Sequence, residues 1–79
     1  MRITNQVLEN QLRSLNSVLP IEGKHFTLSC YNGMNRLVLR SIGSGGEEPI
    51  GYAGTKREVS NTIDAILTVL RIQRRERNR

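Results

Sequence analysis

The sequence predicts a single α+β domain of order α-β-β-β-α, a three-stranded antiparallel sheet with two helices packed on one face. Three observations carry this: an apolar stripe at helical spacing near the start, an Asn-Gly pair between two strand-like runs, and a T-x-x-E signature opening a second helical stripe. A chain of 79 residues holds one core. At this size a domain buries only about 60–65% of the surface its unfolded form exposes, so association between copies is expected to help it. The domain is expected over residues 1–72, with 73–79 a basic tail that can continue the last helix.

In chain order, Ile3, Val7, Leu8, Leu12, Leu15 and Leu19 form the first stripe. Thr4 stands as N-cap, with Ile3 and Leu8 placed as a hydrophobic staple. Pro20 ends the helix, because the residue before a proline is pushed out of the helical region. After a short connection, "HFTLSCY" alternates apolar and polar residues and "MNRLVLRSI" is rich in aliphatic types, with Asn32-Gly33 between them. A type I′ turn there needs positive φ at both residues and fixes the register. Tyr31 faces Met34, Leu28 faces Leu37 and Phe26 faces Leu39. One face then holds Phe26, Leu28, Cys30, Leu37 and Leu39, the core side. The other, left open, presents His25, Thr27, Tyr31, Met34, Arg36, Val38 and Arg40.

"GSGGEE" reads as a flexible loop and "PIGYA" as a short third strand opening with proline, a position an edge tolerates. Tyr52 is assigned to the core. Gly54 turns the chain, and Thr55 with Glu58 forms a capping box, so a helix begins at Lys56. Its stripe Val59, Ile63, Ile66, Leu67 and Leu70 faces the sheet. A second stripe of Ala65, Val69 and Ile72 needs cover from the first helix or from a second subunit.

The net charge is +5, and residues 71–79, "RIQRRERNR", hold five arginines against one glutamate. The body is therefore almost neutral and the cations concentrate in the tail. A single cysteine, Cys30, excludes an intrachain disulfide and suits a reducing cytosol. No leader-like apolar run follows the first charge and no run reaches the ~20 residues of a membrane span, so a cytoplasmic protein is expected. The lone His25 has no zinc-ligand partners, no nucleophile–base set can be argued from spacing, and Glu47 and Glu48 lie in the loop. The expectation is a protein that is not an enzyme and carries no cofactor or metal.

Three surfaces remain as candidates. At Gly54, Thr55, Lys56 and Arg57, free N–H groups, a helix dipole and two cations converge, as in an anion site. Alternatively, the capping box satisfies those donors and the cations are solvated. On the open sheet face, Tyr31 with Arg36 and Arg40 suits a base stacked beside cations, while Met34 and Val38 in the same patch suit a protein contact. In the tail, Arg71, Arg74, Arg75, Arg77 and Arg79 suit phosphate contacts that position without reading sequence.

The element order, with "TKRE" opening the last helix, resembles the double-stranded RNA-binding domain. That resemblance implies phosphate contacts from Lys56 and Arg57. Ser60 stands where that family has a third cation, and Asn32-Gly33 replaces its longer, histidine-bearing first β-loop. "ITNQVLENQLRSLN", the hairpin and "GTKREV…IDAIL" also resemble small bacteriophage-encoded proteins, which implies action by binding. The expected function is binding or sequestering a phosphate-bearing ligand, either a nucleotide signal or a nucleic-acid backbone. The alternative is a protein-binding inhibitor or adaptor acting on host machinery or host defence through the open sheet face. A homodimer or higher homo-oligomer is expected in either case.

Overall fold

A computed structural model describes residues 2–77. The elements are α1 (Asn5–Val18), β1 (Lys24–Tyr31), β2 (Met34–Ser41), β3 (Glu47–Gly54) and α2 (Lys56–Arg77). The strands form one antiparallel sheet in the order β1-β2-β3. The molecule measures 45 × 36 × 20 Å. Its thin dimension matches two layers, a sheet and one layer of helices.

The local signals act as the sequence indicates. Thr4 caps α1, its Oγ1 accepting from Val7 N at 3.3 Å. Asn32 and Gly33 both take positive φ, 51° and 76°, and β1 pairs with β2 in the expected register. α2 starts at Lys56 behind a closed capping box. Leu8 and Leu15 of α1, Phe26, Leu37, and Val59, Ile63 and Leu67 of α2 make the core, with Leu28, Leu39, Ile50, Ile66 and Leu70 packed against it.

Polar ties then fix how the pieces sit. Gln11 Nε2 donates to Asp64 Oδ1 at 2.8 Å and to the Ser60 carbonyl at 3.3 Å, while Ser60 Oγ donates to Gln11 Oε1 at 2.9 Å. The two helices run side by side in the same direction, since Val18 and Leu19 at the end of α1 lie with Leu70 and Gln73 late in α2. Asn16 holds the outer edge of β1, accepting from Phe26 N at 2.7 Å and donating to Phe26 O at 3.0 Å. It takes the place of a fourth strand at that point.

The third strand departs most from expectation. It begins at Glu47, not Pro49, so Glu47 and Glu48 belong to the ladder, opposite Arg40 and Leu39. The loop before it is held by backbone bonds, Ser41 N to Gly46 O at 2.8 Å and Gly45 N to Ser41 O at 2.9 Å. Further on the register slips: Leu37 faces Ile50, but Asn35 faces Gly54, so three residues of β3 lie across from the single Arg36. Gly51, at φ 79°, absorbs this bulge. The slip turns Tyr52 out of the core, leaving it 95% exposed.

Cys30 and Val38 also fall differently. Cys30 is on the core side by register but pairs with Asn35 next to the hairpin turn, beyond the cover of the helices, and is exposed. Val38 is on the helix-free side yet only 2% exposed. It lies between Thr27 and Pro49 across the ladder and between Arg36 and Arg40 along its own strand. Long side chains on such a face cover a small apolar one with their stems.

Candidate functional site

The first candidate surface is the N-terminus of α2. Thr55 N donates to Glu58 Oε1 at 3.1 Å, and Glu58 N donates to Thr55 Oγ1 at 3.2 Å. Two of the end's donors are thus satisfied internally, and a carboxylate occupies the position an anion would take. Gly54 is buried because that carboxylate folds over it: a Cβ there would come within 3.1 Å of Glu58 Cδ and Oε1. The glycine serves the cap. Lys56 and Arg57 are exposed on the first turn. Ser60, the position of a third cation in the resemblance, is buried against Gln11.

The second surface is the helix-free face of the sheet. Arg40 is engaged there, its Nε donating to Glu47 Oε1 at 3.1 Å and its Nη2 to the same oxygen. The expected trio therefore separates: Tyr31 and Arg36 line a concavity of about 240 Å³, while Arg40 is outside its lining and paired with Glu47, which is part of it. Val38 forms part of the lining with Pro49 and Ala53. Tyr31 is 70% exposed, and Arg36 Nε is buried with no hydrogen-bond partner among the described residues. The bulge explains the hollow, because β3 leaves the regular ladder opposite Arg36. Sequence reasoning missed Glu47, Pro49 and Ala53. The available signal was Gly51 inside a strand pattern, which marks a bulge.

The third surface is the end of α2. The helix continues through Arg77, and every residue from 71 to 77 is exposed. Arg71, Arg74 and Arg75 lie on one face of the helix with Thr68 and Ile72. Arg74 and Arg77 lie beside Val18 and Leu19. Arg79 lies outside the described residues. The helix C-terminus carries partial negative charge, which favours these cations where they stand.

Ala65, Val69 and Ile72 are exposed along α2, the last two by 55% and 43%. α1 docks on the Ser60–Asp64 flank and leaves this stripe uncovered. Among the described residues no three His, Cys, Asp or Glu side chains gather as a metal site, and no helix is long and apolar enough to cross a membrane.

These features define a small two-layer α+β protein with a cationic helix end and a concave sheet face. No family model, curated protein or solved structure matches the chain.

Proposed function

We propose that this is a non-enzymatic binding protein for a phosphate-bearing ligand, and that the ligand is a nucleic-acid backbone taken by the end of α2. The observation that carries this is the clustering of Arg71, Arg74 and Arg75 on one exposed face of α2, with Arg77 one turn on. Clustered cations on a regular helix meet successive phosphates without reading bases. The start of α2 supports the reading less, because Glu58 occupies it. Lys56 and Arg57 then act as auxiliary charges roughly 20–30 Å away along the same helix, at 1.5 Å per residue.

Truncation after Ile72 tests this directly. The expected result is at least a tenfold loss of duplex affinity and a flatter dependence on salt, since each phosphate contact contributes a log–log slope of about −0.9. A free nucleotide would barely respond to the same truncation. Unchanged duplex affinity after truncation would reject the reading.

A second reading, a protein-binding inhibitor or adaptor acting on host machinery or host defence, draws on the exposure of Tyr31 and Met34 on the sheet face. Its binding would change little with salt. In either case the protein works as a homodimer in a reducing cytoplasm. The uncovered Ala65, Val69 and Ile72 supply an apolar stripe for self-association, and the exposed lone Cys30 stays reduced in such a compartment.

A further inference from the structure

We infer that the concavity on the helix-free face is a binding site for an unpaired guanine base, its ring against Tyr31 and its two-acceptor edge on Arg36. The site lies on the sheet face away from α2 and does not depend on the arginine end.

Three independent features meet there. The first is the bulge, three residues of β3 opposite Arg36, which makes a hollow in a face that would otherwise be flat. The second is Arg36 itself, whose Nε is covered and has no partner among the described residues. A buried donor without an acceptor is costly, and native structures pair nearly all of them. An acceptor entering the hollow lets the guanidinium turn outward, exchanging an unsatisfied donor for a bonded one. The third is Tyr31, an aromatic ring left exposed beside an apolar patch of Val38, Pro49 and Ala53.

The shape and polarity narrow the ligand. Whole ligands occupy pockets of about 300–1,000 Å³, so a hollow of about 240 Å³ suits one planar ring system. Tyr31 offers a stacking face, which any base can use. Arg36 selects among them, because a guanidinium fork matches two adjacent acceptors, and O6 with N7 of guanine is that pair. Adenine presents an amino donor where guanine has O6 and would oppose the cation. Glu47 also lines the hollow and receives both Arg40 bonds on Oε1, leaving Oε2 outside that pair. That second oxygen is an acceptor suited to the guanine N1–H and amino group.

The experiment is a titration of the full-length protein, followed by the Arg36 Nε–H and Tyr31 ring resonances. The probes are guanosine monophosphate, adenosine monophosphate and ribose 5-phosphate at one salt concentration. Guanosine monophosphate should shift both resonances and saturate, with adenosine monophosphate at least about tenfold weaker and ribose 5-phosphate without effect on either. Arg36→Lys should lose at least about tenfold and Tyr31→Ala a similar factor, while Tyr31→Phe retains binding and Tyr52→Ala changes nothing. A three-nucleotide single strand with a central guanine separates the sources: tighter binding than the mononucleotide assigns the site to single strands, and equal binding assigns it to the free nucleotide. Absence of saturable shifts at millimolar guanosine monophosphate, equal response to the adenine analogue, or full retention by a folded Arg36→Lys protein would each overturn the proposal. None of these readouts involves the arginine end, so they stand apart from the truncation test.

Discussion

Single side chains decide where this small protein is rigid. Asn16 is the clearest case, since one amide satisfies both the N–H and the carbonyl of Phe26 at an outer strand edge. Replacing it by alanine leaves two partly buried backbone groups without those partners. Asn16→Ala should therefore lower stability by about 1–3 kcal/mol, measured as a shift of the urea midpoint at unchanged slope. A loss under a few tenths of a kcal/mol would mean that water replaces the amide. Nothing in the sequence distinguishes Asn16 from Asn10 or Gln11 as a strand partner, because the contact joins a helix to a strand that its own periodicity does not mention. Thr4, Asn32, Gly33 and Thr55 were legible for the opposite reason, since each acts on atoms within three residues of itself.

Elements show the same division between local and distant causes. Both helices and the β1-β2 register follow from patterns confined to one segment. β3 does not, because its position depends on how it meets β2. The Arg40–Glu47 pair extends the ladder before Pro49, and the bulge at Gly51 cancels the alternation that would bury Tyr52. The candidate site suffered most from this: Tyr31 and Arg36 could be named from the sequence, but the hollow between them exists only because β3 slips. α2 carries a different lesson. Its core contacts end at Leu70, and seven further residues, roughly 10 Å of helix, lie beyond them. A helix end outside the core opens locally far more readily than the core does. Amide exchange over residues 73–77 should be near that of an unfolded peptide, while Ile63 and Leu67 exchange only with global unfolding. Duplex nucleic acid should slow exchange in the end segment. Strong protection there in the free protein would instead point to a partner already in place.

At the scale of the whole molecule, the two layers leave, among the described residues, the hollow sheet face and the stripe Ala65, Val69 and Ile72 without cover. The stripe is the better seat for a second copy, because Val38 on the sheet is already buried by its own neighbours. A twofold contact brings the same patch together from both chains. The arginines make an antiparallel arrangement of the paired α2 helices the favourable one, since it keeps the two cationic ends apart. Val69→Glu should give a folded monomer where the wild type is expected to dimerise, read by light scattering at about 100 μM, a concentration at which contacts with micromolar Kd are largely formed. A wild-type monomer under those conditions would end the dimer proposal.

The way the sheet ends has a consequence for the chain in crowded solution. A sheet of three strands has two rims along which another chain could add a strand, and open rims seed fibres. Here one rim has its exposed backbone at Phe26 occupied by Asn16, and the other is interrupted by Pro49 and bent by the slip at Gly51. Each rim is thus interrupted at one point, and the interruption at Phe26 is the amide of Asn16. Loss of that amide would unmask the rim as well as weaken the fold, so Asn16 is the position where a change turns a stability defect into an aggregation defect.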